Sequence, residues 1–244
     1  MIVYGRIISV MCMRNVLIIG GNSDIGIGLV KYYLDRDCNV VVGYHKNIDI
    51  VYDKVKYVKC DVTDTDSIEN IVRTMIDMYG NIDVMINLAC ICMDSDFLDK
   101  TKDEFMKVLE VNLVGTFLCN QIYCKYIDNG IIVNMGSTDG IDTYSRYSID
   151  YSVSKAGIIN ISKSISICTN NKILCICPNW IDTSSTRMIN SSYLESELNR
   201  IGQSRLITVD EFIYGYDKII NNNFDSGDIF RVDIKGDKLW LEKM

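Results

Sequence analysis

Short apolar runs and longer amphipathic stretches alternate along the chain. Asn15-Val16-Leu17-Ile18-Ile19 is an almost unbroken apolar run closed by Gly20-Gly21, the pattern of a buried strand. Directly after it, Ile25, Leu29 and Tyr33 recur every four residues, with Val30 and Leu34 beside them, and mark one face of a helix. Asn39 to Val42 and Lys56 to Lys59 predict two more strands. Asp66 or Ser67 then caps a helix whose positions Ile68, Ile71, Val72, Met75, Ile76 and Tyr79 keep helical spacing until Gly80 stops it. Ile82 to Ile86 reads as a strand, Phe105 to Tyr126 as one long helix and Gly130 to Met135 as a strand. A helix over Asp150 to Cys168, a strand over Lys172 to Cys177, a helix over Asp210 to Ile220 and a strand over Asp228 to Val232 complete the series.

Seven strands separated by helices of ten or more residues imply βαβ units. The expected fold is α/β, a mostly parallel seven-stranded sheet covered by helices on both faces. Ligands in such sheets bind beyond the carboxyl ends of the strands. Pro178 is the single proline of the 244 residues, and no Gly/Ser/Pro-rich linker or internal repeat divides them, so one domain over 14–244 is expected. Residues 1–13 are apolar but contain Arg6 and lack a signal-like cleavage site. They are expected to form an N-terminal extension, or to follow from a start assigned upstream of Met11 or Met13.

A net charge of −7 argues against nucleic acid as a partner, and no apolar run approaches the length of a membrane span. Ten cysteines without a secretory signal suggest free thiols in a reducing compartment, hence a cytoplasmic protein. The C-x-C pairs Cys90/Cys92 and Cys175/Cys177 would each send two sulfurs to one side of a strand. With His45 as the single histidine and no C-x-x-C pair, buried thiols are expected rather than a metal site.

The chemistry-bearing residues fall just after the strands. Gly20-Gly21-Asn22-Ser23-Asp24-Ile25-Gly26 joins strand to helix, a setting in which helix N–H groups and dipole can receive a pyrophosphate. The second strand ends in Gly43-Tyr44-His45-Lys46-Asn47. It has no carboxylate for ribose hydroxyls and two side chains able to carry positive charge, so His45 and Lys46 point to a 2′-phosphate and to NADP(H) over NAD(H). Tyr151 and Lys155, four apart, share a helical face, and an ammonium near a phenol lowers its pKa. Ser137 or Thr138, after the fifth strand, can reach the same sheet edge, and Asn112 lies in the preceding long helix.

On these residues the chain resembles the short-chain dehydrogenase/reductase family from about Arg14 to Gly236. The family's T-G-x-x-x-G-x-G motif matches at Gly20 and Gly26, with Ile19 and Asp24 at its threonine and middle glycine. Its acidic adenine-contacting position matches Asp61 in Asp61-Val62, and its N-N-A-G strand end appears as Asn87-Leu88-Ala89-Cys90. Its helix asparagine, serine and Y-x-x-x-K match Asn112, Ser137, Tyr151 and Lys155. P-G-x-x-x-T appears as Pro178-Asn179-Trp180-Ile181-Asp182-Thr183, and the C-terminal T-G-x-x-x-x-V-D-G-G as Ser226 to Gly236.

The resemblance implies a single doubly wound Rossmann-fold domain and an NAD(P)-dependent oxidoreductase acting on alcohol or carbonyl carbons. Asn112, Ser137, Tyr151 and Lys155 would be catalytic. Ser137 would hold the substrate oxygen, Tyr151 would exchange the proton, Lys155 would hold ribose and lower the tyrosine pKa, and Asn112 would help hold a relay water. The cofactor would lie along Gly20, Asn22, Ser23, Asp24, Ile25, Gly26, His45, Lys46, Asp61, Val62, Asn87, Ala89, Tyr151, Lys155, Pro178, Ile181 and Thr183. Of the departures, Asp24 would put a negative side chain at the pyrophosphate turn or else cap the helix. Cys90 would crowd the cofactor, and Asn179 would supply the left-handed backbone of the family's glycine. In general pattern the nearest subgroup is the 3-oxoacyl-[acyl-carrier-protein] reductases, which implies a small-molecule substrate, carrier-bound or free. Reductases of alcohols, sugars or secondary metabolites, and a non-catalytic sensor of redox cofactor, are the alternatives. A homotetramer or homodimer would form on the two long helices.

Overall fold

The computed structural model describes residues 14–48 and 50–244, so the extension expected over residues 1–13 lies outside the described residues. In chain order the elements are β1 Asn15–Ile19, α1 Asp24–Leu34, β2 Asn39–Tyr44, β3 Val55–Lys59, α2 Thr65–Tyr79, β4 Val84–Asn87, α3 Lys102–Leu109 and α4 Gly115–Tyr126. There follow β5 Ile131–Met135, α5 Ile149–Ser166, β6 Lys172–Pro178, α6 Ser184–Arg187, α7 Ser191–Ile201, α8 Val209–Ile220, β7 Asp228–Lys235 and β8 Lys238–Lys243.

The strands form one sheet in the order β3-β2-β1-β4-β5-β6-β7-β8, parallel throughout except for β7 with β8. Strand order reverses between β1 and β4, which opens a crevice beyond their carboxyl ends. The apolar run of β1 reflects burial on both faces. Val16 and Ile18 join a core with α1 and α8, while Leu17 and Ile19 join a second core with α2 and α4. A third, smaller cluster of Ile158, Cys175, Cys177 and Ile229 packs α5 onto β6 and β7.

The fold class stands as the sequence predicts, with one strand added. Gly236, at φ +59, and Asp237 make a two-residue turn that folds β8 back on β7, pairing Lys235 with Lys238. Three other expectations change in detail. The cap of α2 is Asp64, whose carboxylate accepts the Asp66 N–H, while the Ser67 hydroxyl accepts the Asp61 N–H instead. The long helix begins at Lys102 behind a Thr101/Glu104 capping box, and over Glu110–Val114 it widens into a π turn centred on Asn112. The polar stretch after β6, left without elements by its pattern, folds into α6 and α7.

Candidate functional site

The turn between β1 and α1 is shaped by its glycines. Gly20 sits at φ +78, and a Cβ there would lie 2.7 Å from the Ala89 nitrogen, so β1's end rests directly on β4's end. A Cβ on Gly26 would come within 2.6 Å of the Gly21 backbone. Ser23 caps α1 by accepting the Gly26 N–H at 3.1 Å, and the other first-turn N–H groups lack intrahelical partners. A side-chain-free cradle of this kind at a helix N-terminus suits a pyrophosphate. Asp24 departs from it. Its carboxylate accepts the Ser184 N–H at 2.8 Å and the Ser184 hydroxyl, joining the start of α1 to the start of α6 across the crevice. Capping of α1 falls to Ser23, not Asp24.

At the adenosine end, His45 Nε2 lies 3.4 Å from Asp61 Oδ2, and both side chains are exposed. The Thr63 N–H and hydroxyl hold the Asp61 carboxyl below its usual range, with His45 assisting. Lys46 is exposed, and Asn22 Nδ2 donates to the Asn47 carbonyl at 2.9 Å, tying the glycine turn to the end of β2. Val62 packs its side chain against Gly115 at the far side of the π turn. Asn87 turns between β4 and β5, where its Nδ2 donates to Asn134 Oδ1 at 2.7 Å. That contact joins it to a buried chain through Asn120, Asn134 and Ser162. Asn87 Oδ1 is buried there without a partner.

The structure brings Ser137, Tyr151 and Lys155 together at the end of β5. Burial pushes the Tyr151 phenol well above its ordinary pKa, the Cys90 thiol and Asp139 add to this, and hydrogen bonding with Ser137 pulls it down. Lys155 is buried and donates to the Met135 carbonyl at 2.9 Å, with Nζ 5.2 Å from the Tyr151 ring centre. In this arrangement the ammonium braces β5, and the phenol's pKa lies above its ordinary value, so the lowering expected from Lys155 is not found. Of the two candidate hydroxyls, Thr138 donates to Asn179 Oδ1 at 3.1 Å, while Ser137 hydrogen-bonds with the Tyr151 phenol. Asn112 is fully engaged. Its Oδ1 accepts the Ile91 N–H, its Nδ2 donates to the Ile91 carbonyl and to Ser154 Oγ, and its own carbonyl accepts the Thr116 hydroxyl. It pins the segment after β4 to the π turn.

After β6, Pro178 ends the strand, Ile181 pairs with Ile207 in a single bridge, and the Thr183 hydroxyl caps α6. Asn179 does not adopt a left-handed backbone. Its side chain is buried and joins Thr138, the Trp180 N–H and Asp233, so it replaces glycine as a hub of hydrogen bonds. Cys90 is exposed at the end of β4, whereas the Cys175 and Cys177 sulfurs lie buried 3.8 Å apart. Among the described residues no group of three or more His, Cys, Asp or Glu side chains could hold a metal ion.

Sequence reasoning passed over three features. Asp139, two residues after Ser137, is half-buried and accepts the Thr143 hydroxyl at 2.5 Å. Lys100 and Asp150 form a buried ion pair at 3.0 Å immediately before Tyr151. Glu197 and Arg200 of α7 pair at 2.7 Å, and Arg200 reaches back to the Tyr144 carbonyl. Neighbouring positions in the sequence carry a signal for Asp139, two residues after Ser137, and for Asp150, directly before Tyr151, and none for Lys100, Glu197 or Arg200.

A model of the family described as short chain dehydrogenase matches residues 14–194. The 3-oxoacyl-[acyl-carrier-protein] reductase FabG of Chlamydia muridarum is 27% identical over 243 residues, covering 92% of this chain and 98% of that protein. Among solved structures, ligand-free aldohexose dehydrogenase of Thermoplasma acidophilum superposes with a TM-score of 0.79 at 21% identity, over 91% of this chain and 93% of that one. A structure of ElxO with NADP bound gives a TM-score of 0.75 at 23% identity, over 90% and 97%.

Proposed function

The chain belongs to the short chain dehydrogenase family and is an NAD(P)-dependent oxidoreductase, and from that premise we propose that it reduces a carbonyl to an alcohol with Tyr151 as the proton donor. The observation that carries this reading is the meeting of Ser137, Tyr151 and Lys155 beyond β5, at the same sheet edge as the glycine turn that follows β1. Tyr151 hydrogen-bonds with Ser137, so the two hydroxyls can meet one substrate oxygen, Ser137 as its holder and Tyr151 as its proton donor. Ser137 holds the substrate oxygen, Tyr151 protonates it, and Lys155 stands one helical turn away with Nζ 5.2 Å from the phenol ring centre. Asn112 acts as a pin, holding Ile91 and Ser154 so that the loop after β4 stays against α5.

The bound cofactor supplies the hydride. The residues that would hold it are Gly20, Asn22, Ser23, Ile25 and Gly26 at the phosphates, and Asp61, Val62, Asn87 and Ala89 along β3 and β4. Pro178, Ile181 and Thr183 would complete the site after β6, with Asp24 a charged neighbour of the phosphates. His45 and the exposed Lys46, which has no ion pair among the described residues, favour NADP(H), and ElxO, a neighbour in structure, was solved with NADP bound. The acyl-carrier reductases among the relatives make a 3-oxoacyl thioester one candidate substrate. Phe117 and Val153, exposed on the outer faces of α4 and α5, favour a homodimer or homotetramer paired on those helices. No described helix is long and apolar enough to cross a membrane, and the free thiols suit the cytoplasm.

The test is Tyr151→Phe, assayed by NADPH oxidation with ketone substrates. Turnover should fall by about two to four orders of magnitude while NADPH binding stays within a few-fold. Turnover within a few-fold of the parent would end the reading.

A further inference from the structure

The turn that follows Ser137 carries a carboxylate into the reacting end of the crevice. Asp139 donates its backbone N–H to Ser137 Oγ at 3.1 Å, and its Oδ1 accepts the Thr143 hydroxyl at 2.5 Å. Its Oδ2 has no hydrogen-bond partner among the described residues. The turn is fixed in place. A Cβ on the adjacent Gly140 would lie 2.5 Å from the Ala156 nitrogen, which seats Asp139 against the turn of α5 that contains Lys155. From above, Arg200 of α7 donates to the Tyr144 carbonyl at 2.9 Å, closing that helix over the same turn.

The charges around Asp139 leave it available. Arg200 is paired with Glu197 at 2.7 Å, and Lys155 donates to Met135. No cation lies within ion-pair distance of Asp139 among the described residues. The Asp139 N–H donates to Ser137 Oγ, and Ser137 hydrogen-bonds with the Tyr151 phenol, so the turn that carries the carboxylate adjoins both reacting hydroxyls. Burial raises the Asp139 pKa and the Thr143 bond lowers it, as expected of a carboxyl held partly out of water with one oxygen satisfied.

We infer that Asp139 selects the substrate: its open oxygen accepts a hydrogen bond from a hydroxyl or ammonium group next to the carbonyl being reduced. This rests on the carbonyl-reductase reading above and narrows it to small α-hydroxy or α-amino ketones. An unsubstituted alkyl or acyl chain offers the carboxylate no donor and strips water from it, which is unfavourable. A site built around a polar partner rejects the analogue that lacks it more strongly than an apolar pocket rejects an added group.

Three ketones of nearly equal size isolate the effect: hydroxyacetone, aminoacetone and butanone, which differ only in OH, NH3+ or CH3 beside the acetyl group. Acetoacetyl-CoA serves as the thioester arm. With the full chain and NADPH, kcat/KM for hydroxyacetone or aminoacetone should exceed that for butanone by about 10–100-fold, as for a hydrogen bond to a charged group. A hydroxyl preference alone identifies a neutral donor, and an ammonium preference alone identifies a cation. Either supports the inference. In Asp139→Asn, which keeps an acceptor for Thr143, the ammonium preference should collapse to a few-fold. In Asp139→Ala both preferences should collapse, with folding checked by circular dichroism. Turnover of butanone or acetoacetyl-CoA equal to or faster than that of the donor-bearing ketones overturns the inference and leaves the reductase reading standing. Absence of turnover with all four overturns both.

Discussion

Removing the Lys100 ammonium should destabilise the protein and displace Tyr151, the proposed proton donor, together. The Lys100 side chain is 6% exposed and that of Asp150 is fully buried, with 3.0 Å between Nζ and Oδ2. Lys100 also donates to the Met93 carbonyl, and Asp150 Oδ1 accepts the Tyr151 N–H at 3.0 Å. One cation thus ties the loop after β4 to the first turn of α5. Lys100→Met leaves a buried carboxylate alone, at a cost of about 3–5 kcal/mol. For a domain of this size each kcal/mol lowers Tm by about 2–4 °C, so the variant should melt about 6–20 °C below the parent. The double variant Lys100→Met/Asp150→Asn removes the stranded charge and keeps an acceptor for the Tyr151 N–H. It should recover all but about 1–2 kcal/mol. Thermal and urea unfolding of the parent, both single variants and the double variant complete the cycle. A single variant within about 1 kcal/mol of the parent, or a double variant no more stable than Lys100→Met, would refute the reasoning.

Two further variants probe charge elsewhere. Asp24→Asn keeps acceptors for Ser184 but removes a negative charge beside the phosphate cradle, so NADPH should bind about 5–30-fold more tightly by nucleotide fluorescence, and weaker binding would contradict that placement. Glu211, paired with Arg205 at 2.7 Å and closing the capping box of α8, has its pKa lowered from 4.5 to about 2. Because the folded value lies below the unfolded one, its stabilisation is complete above about pH 4.5 and disappears as pH falls through about 2. The Tm gap between parent and Glu211→Gln should therefore narrow over that interval, and a gap that widens on acidification would oppose it.

The sheet was legible because its strands are buried on both faces and so must be written as apolar runs, as in Val16 to Ile19. β8 was harder to read. It is an edge strand whose Leu239, Trp240 and Leu241 are only partly buried, and its one clear signal is the turn at Gly236-Asp237. The cap of α2 shifted because three acidic or hydroxyl residues compete there, and Asp64 wins once Ser67 is drawn to the Asp61 N–H. The site was visible where its members lie four residues apart or directly follow a strand. The Lys100–Asp150 and Asn87–Asn134 contacts span 50 and 47 residues, and periodicity carries no trace of such pairings. Asn179 misled for a different reason. Its tolerance of left-handed backbone suggested a stand-in for glycine, while the structure uses its amide to join β6, β7 and the turn after β5.

Two acidic side chains bracket the crevice, and their effects on the proposed reaction differ. Asp24 lies at the phosphate end and faces a ligand that is itself negative, so its charge opposes binding, although its bonds to Ser184 hold α6 near the crevice. Asp139 lies at the reacting end, its N–H on Ser137 Oγ, where its carboxylate is placed to meet a donor group on the substrate. A chain that lost its phosphate-turn glycine while drifting towards inactivity would have no reason to retain Ser137, Tyr151 and a buried Lys155, whose charge is costly to keep out of water without a function or a partner. A carboxylate that opposes the phosphates at one end, with Ser137, Tyr151 and Lys155 meeting at the other, favours the proposed reductase over a sensor, because a sensor needs the affinity and has no use for the proton.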